Sequence, residues 1–342
     1  MKHATICIIA AGAAALLALQ ACGGVPNGIT EDPGNTVPAS ESPLPSCSAA
    51  PPEMDLTPKQ GVDAVHEVGE KGESGEKGES VKMTSVILHY LTDDGFVLPL
   101  RTEIPTEDGI ARACLLRLTA GGGSDSELAA RGLRAPIPED ARISLVIANG
   151  EAIADISSAS LPDNAELERA MFAAVVNTLM QFRSVDTVTL TVNGRSGMTE
   201  NGNTTPERCG SYALNVEQDS LEASAAGDYT ALTLYFPTES GSAFIPVTRY
   251  VGGKGGLGSA IAQLAEGTKL KGLRGCFPQN TLILGAAIEN GVLTVNCSKD
   301  FAAIEQQPGL FSLAMNSVMM TASRFGSVDE VCFEVNGTPY EP

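Results

Sequence analysis

Few side chains in this 342-residue sequence have the type and spacing to do chemistry. Of three histidines, only His89 lies in a periodic apolar stretch, while His3 and His66 fall near the N-terminus. A lone imidazole builds neither a multi-histidine metal site nor, without a nucleophile motif, a triad. Carboxylates come next, because a glycosidase needs only two. Asp155 and Asp186 have counterparts in Asn296 and Asp329 further along the chain, so one acid of the pair is lost in the second set. Asp186 and Asp329 stand just before β-branched runs, where acidic turn residues are common. Gly252-Gly253-Lys254-Gly255-Gly256 resembles a phosphate cradle but lacks the order of a P-loop. Arg134 and Arg274 recur in Gly-Leu-Arg motifs and read as structural ion pairs before they read as a binding surface. No catalytic, cofactor-binding or metal-ligating residue is expected, and the chain reads as a non-enzyme.

Thiol chemistry is the exception. Lys2 precedes an apolar run from Ile6 to Leu19, and Leu19-Gln20-Ala21-Cys22 follows. The run is short for a membrane span and suits a secretory signal. A small residue before cysteine resembles a bacterial lipobox, so residues 1–21 are read as a lipoprotein signal peptide and Cys22 as the lipidation site. Two or more acyl chains, palmitate among them, give a stable anchor at about 0.8 kcal/mol per buried methylene. Cys7 leaves with the signal, and Cys47, Cys114, Cys209, Cys276, Cys297 and Cys332 remain. They show no metal-binding spacing. Most read as small buried hydrophobes, and a disulfide among Cys276, Cys297 and Cys332 stays open.

Those residues must be carried by something. Residues 22–80 are rich in Pro, Ser, Glu and Gly, and include GEKGESGEKGES. Four Gly-X-Y triplets without proline cannot hold a triple helix, so the segment reads as a flexible acidic tether. A formal charge of −19 argues against a nucleic-acid partner, while 43% hydrophobic residues support real cores.

Beyond the tether the chain repeats itself. SVDTVTLTVNG at 184–194 and SVDEVCFEVNG at 327–337 agree at seven of eleven positions. Val86–Arg101 matches Leu232–Arg249 as a hairpin, and Ala111–Gly121 matches Leu257–Gly267 as a short helix ending at glycine. Gly132–Pro138 matches Gly272–Pro278, and Ala141–Ser157 matches Thr281–Ser298 as two apolar runs joined by Asn-Gly. The extra GGGSDSELAAR of the first copy reads as a surface loop. Leu167, Ala170, Met171, Ala174, Val175, Thr178, Leu179 and Phe182 mark one helical stripe, repeated from Leu310 to Phe325. The fold class is α+β: two tandem homologous units, 81–194 and 228–342, joined by a linker at 195–227. Each has the order β-β-α-β-β-α-β, a small sheet with two helices on one face.

A lipobox, tandem GLRxxxP motifs, Asn-Gly hairpins and two SVDxVxxxVNG strands resemble the GerM-like family of spore-germination lipoproteins with two tandem GerMN domains. The resemblance covers about residues 83–337 and Cys22. It implies a ring-building-motif-like fold and a non-catalytic assembly or scaffolding role in sporulation and germination. It also implies anchoring on the outer face of the cytoplasmic membrane and, in sporulating cells, the space between mother cell and forespore. The implied partners are envelope or sporulation-complex proteins in oligomeric or mixed assemblies. The alternative is an envelope lipoprotein that binds a small ligand or glycan between its two domains.

Overall fold

The computed structural model describes residues 82–224 and 227–340. The signal peptide, Cys22, Cys47 and the tether lie outside the described residues. In the first unit, β1 (Met83–Thr92) and β2 (Val97–Pro105) form an antiparallel hairpin, with Leu91 opposite Val97 at the turn. There follow α1 (Ile110–Arg117), α2 (Asp125–Ala130), β3 (Leu133–Arg134), β4 (Arg142–Ala148), β5 (Glu151–Ser157), α3 (Ala165–Met180) and β6 (Thr187–Val192). After α4 (Gln218–Ser224) the order returns as β7 (Tyr229–Pro237), β8 (Phe244–Gly252), α5 (Leu257–Ala265), β9 (Ile283–Glu289) and β10 (Val292–Cys297). A 3-10 segment (Lys299–Gln306), α6 (Leu310–Ala322), β11 (Glu330–Val335) and β12 (Thr338–Pro339) complete it. Both units follow the expected order. The extra stretch in the first copy is more than a loop, since α2 buries Leu128.

Each unit divides its strands between two sheets. The hairpin stands apart as β2-β1-β3 or β7-β8, and the rest form β4-β5-β6 or β12-β11-β10-β9. The long helix explains the division. Apolar residues surround α3, and Met171, Phe172, Ala174, Val175, Val176 and Leu179 are all fully buried. A helix apolar on nearly every face needs a wall on more than one side, and α3 packs against β1 as well as β6. The helix is also the crossover that the parallel pair β5–β6 requires, as α6 is for β10–β11. Asn164 caps α3, its Oδ1 accepting from Leu167 N at 2.8 Å.

The second core replaces part of that aliphatic bulk with rings. Phe301 stacks on Phe333 at 4.8 Å between centroids, and Phe277 meets Phe333 edge-on at 6.3 Å. Cys276 and Cys297 are buried in this core, and Cys332 is half-buried on β11. All three are free thiols, as is Cys114 in the first core, so the disulfide left open among the three is absent. Burial pushes the Cys114 thiol up to about 11 and those of Cys276 and Cys297 to about 12. In native protein these three should resist alkylation at neutral pH, with Cys332 the first of the four to react; mass spectrometry after timed labelling measures the order.

His89, buried on β1, meets Thr178 Oγ1 through Nδ1 at 2.9 Å, and burial lowers its pKa to about 4. A buried neutral imidazole binds its proton less readily than the unfolded chain does. Its contribution is therefore whole above about pH 6.5 and fades as pH falls towards 4. The loss at the acid end is on the order of 3 kcal/mol. Replacing His89→Gln should flatten the pH dependence of unfolding over this window, as urea denaturation at several pH values will show.

Candidate functional site

The residues singled out for chemistry prove to be holding turns. Asp155 accepts hydrogen bonds from Ser157 Oγ at 2.6 Å, Thr191 Oγ1 at 2.6 Å and Gly194 N at 2.8 Å. Partial burial opposes its ionisation, but these three donors outweigh that and hold its carboxyl below the usual range. Asn296 does the same work in the second unit, its Oδ1 accepting from Gly337 N at 2.9 Å. One amide and one carboxylate are interchangeable here because only an acceptor is required. Asp186 N donates to Gly150 O at 2.6 Å and Asp329 N to Gly291 O at 2.7 Å. Gly150 and Gly291 have φ of 80° and 82°, and a Cβ on Gly150 would fall 2.6 Å from Asp186 Oδ2. The acid of the repeated phrase is thus packed over the glycine of the Asn-Gly hairpin, twice.

The Gly-Leu-Arg motifs are backbone fasteners. Gly132 O accepts from Asp93 N and Gly272 O from Glu239 N, in each case at the hairpin turn. Leu133 and Leu273 are buried, whereas Arg134 and Arg274 are exposed, and neither has a carboxylate within ion-pair distance among the described residues. The expected structural ion pairs are absent. The glycine run before α5 lets the backbone pass close to β7: a Cβ on Gly255 would lie 2.8 Å from both Thr230 and Leu232. No group of three or more metal-binding side chains occurs among the described residues.

What the structure gathers instead is a junction between the units. The segment from 195 onward is a strap that pairs first with one unit and then with the other. Cys209 exchanges both backbone hydrogen bonds with Val188 on β6, and Leu190 N donates to Pro206 O. Cys209 is disulfide-bonded, its partner lying outside the described residues. Asn203 Nδ2 donates to Glu168 Oε2 at 2.6 Å and to Ala165 O at 2.9 Å, tying the strap to α3. Asn177 Nδ2 donates to Tyr212 O at 2.8 Å. Asn215, with φ of 47°, then reaches both units at once. Its Oδ1 accepts from Val97 N at 2.8 Å, and its Nδ2 donates to Val97 O at 2.8 Å and to Pro246 O at 2.7 Å. Phe96 packs on the second core, and a Cβ on Gly272 would meet Asp94 at 3.1 Å.

The strap is fastened to the second unit by Glu217. Thr248 N donates to Leu214 O and Glu217 N to Thr248 O, adding a short strand to β8. Arg249 Nε then donates to Glu217 Oε2 at 2.6 Å and Nη2 to Oε1 at 2.8 Å, with both side chains buried. Burial disfavours the Glu217 carboxylate, but donors on Arg249 and Thr268 more than offset it and its pKa is lowered. Between β8, the β1–β2 turn, α3 and the strap lies a cavity of about 210 Å³, and Tyr212 lines it. Sequence reading missed Tyr212, Asn215 and Glu217, which sit in the stretch read as a linker. The one available signal was Arg249, a charged residue in an otherwise apolar strand, matching Arg101 in the first copy.

These features define a tandem α+β protein whose recurring polar residues shape turns and whose unique ones join the repeats. A family model described as "Germane: Sporulation and spore germination" matches residues 87–197 and 233–341, and the chain belongs to that family. It is 29% identical over 262 residues to the spore germination protein GerM of Bacillus subtilis (strain 168), covering 73% of this chain and 71% of that one. It is also similar to the solved tandem GerMN domains of the sporulation protein GerM from Bacillus subtilis. The TM-score is 0.54 and the identity 26%, over 75% of this chain and 92% of the other.

Removing either half of the Glu217–Arg249 pair leaves a buried charge unpaired, so Glu217→Gln and Arg249→Gln should each cost about 3–5 kcal/mol. The double substitution should cost little more than either single one, and a denaturation cycle over the four proteins tests this.

Proposed function

We propose that the protein is a lipid-anchored envelope component that works by non-catalytic assembly with other proteins during sporulation and germination. The observation that carries this reading is a repeated, unshared sheet edge. In the first unit the strap covers β6, and in the second β12 and Tyr340 cover β11, whose Phe333 O accepts from Tyr340 N at 2.9 Å. On the opposite side β4 and β9 carry no neighbour among the described residues. An open edge presents unpaired N–H and C=O groups, a template for another chain. Apolar side chains sit beside it, with Val146 61% and Leu284 54% exposed. Membership of a sporulation and germination family supplies the setting, and the lipobox at Ala21-Cys22 supplies the anchor. No helix among the described residues is long and apolar enough to cross a membrane, which is compatible with attachment through Cys22.

Val146→Lys and Leu284→Lys replace exposed residues and should change stability by no more than about 0.5 kcal/mol. Crosslinking in sporulating cells should nevertheless lose its protein adducts in one or both variants, with spore germination reduced in parallel. Adducts and germination unchanged in the doubly substituted protein would remove the edges from the assembly role. Labelled palmitate should enter the wild-type chain and not Cys22→Ala.

A further inference from the structure

Strands that end a sheet are usually defended against pairing by proline or by charges along their length, and β4 and β9 are not. β2 also ends a sheet but carries Pro99, Arg101, Glu103 and Pro105. β4 reads Arg-Ile-Ser-Leu-Val-Ile-Ala and β9 reads Ile-Leu-Gly-Ala-Ala-Ile-Glu. Each has a single charge, at opposite ends of the two strands and of opposite sign. Arg142 and Glu289 are both exposed, and neither has an ion-pair partner among the described residues.

Backbone geometry decides which groups can meet. Asn149 and Gly150 have φ of 52° and 80°, and Asn290 and Gly291 of 52° and 82°. Both hairpins therefore turn in two residues and close on hydrogen-bonded pairs, Ala148–Glu151 and Glu289–Val292. Counting in twos from those pairs, Ile143, Leu145 and Ile147 turn their N–H and C=O groups outward from β4, and Ala286 and Ile288 do so from β9. The side chains of Ile143, Leu145, Ala286 and Ile288 pack on the two cores. Laid antiparallel with Arg142 opposite Glu289, the strands bring Ile143 to Ile288 and Leu145 to Ala286 as hydrogen-bonded pairs. Ser144 then faces Ala287, and Val146, 61% exposed, faces Gly285, where an added Cβ would meet nothing. A bulge at Leu284 ends the regular stretch just beyond. Sliding the strands by two residues takes Arg142 off Glu289, and joining β4 to β4 or β9 to β9 brings no opposite charges together.

We propose that the protein associates with a second copy of itself head to tail, β4 of one molecule adding antiparallel to β9 of the next with Arg142 across from Glu289. The three-stranded sheet of one copy then continues into the four-stranded sheet of its neighbour, and the two cores meet through the joint. Every molecule carries both edges, so one joint leaves a β9 and a β4 for further copies. This inference rests on the assembly reading above and names the chain itself as a partner.

The test is a register-specific disulfide between molecules. Ser144 and Ala287 are exposed and would stand opposite each other, with Cβ atoms about 5 Å apart. Full-length Ser144→Cys and Ala287→Cys are each made with Cys332→Ser, so that the other free thiols among the described residues are buried. Mixed at about 0.1 mM and oxidised with diamide, the two should give a disulfide-linked dimer in clear excess of either alone. Arg142→Glu in the first partner should cut the yield about fivefold, and Glu289→Arg added to the second should restore it. No excess in the mixture, a dimer from Ser144→Cys alone, or a yield that the charge reversals leave unchanged overturns the proposal. If Val146→Lys and Leu284→Lys still lose protein adducts while the mixture gives no dimer, the edges engage a different protein and the assembly reading stands without this one.

Discussion

All five N–H donors of Arg249 find acceptors: both oxygens of Glu217, the backbone and side-chain oxygens of Gln263, and the carbonyl of Gly267. Taking a guanidinium out of water costs several kcal/mol, and only a full set of partners offsets it. Glu217 belongs to the strap and not to the second unit. The unit's own hairpin therefore carries a charge that its own residues satisfy only in part. The strap has to be seated for the second unit to be complete. Because the same strap closes the edge of β6 through Cys209 and Pro206, seating it also finishes the first unit.

Asn215 extends this dependence to the contact between the repeats. Its side-chain amide copies a backbone, accepting from and donating to Val97 as a neighbouring strand would, and its second amide hydrogen reaches Pro246. Proline has no N–H to offer the ladder, and Pro246 O would otherwise face the gap between the hairpins. One amide thus joins two sheets that could not pair directly. By contrast, duplication accounts for the acids at Asp186 and Asp329 and the acceptors at Asp155 and Asn296. Each is present twice because each shapes a turn that is present twice.

The repeated halves were legible because their signals are local. Asn-Gly between apolar runs, glycine after a short helix, and a 3.6-residue stripe each need only a few neighbouring residues to be read. The separation of each unit into two sheets was less so, since it follows from Phe172, Ala173 and Val176 being buried on the far side of α3 from the stripe. The continuous MFAAVV run is its trace in the sequence. The junction was not legible at all. Tyr212, Asn215 and Glu217 sit in aperiodic sequence, and their partners are single residues as many as 118 positions away. Nothing nearby in the chain announces a contact of that kind.

The arrangement of covered and bare borders limits each of these sheets to a single joint. Each four- or three-stranded sheet has one flank already occupied by its own polypeptide, β12 in one case and the strap in the other. Two such sheets can meet only once, bare side to bare side, after which the composite sheet has a covered flank at each end. A fibril requires a template that is renewed with every addition; pairing like with like at one unit consumes it, whereas pairing β4 of one molecule with β9 of the next would renew it, because each chain carries both edges. Joining through any one of these sheets is self-limiting by construction.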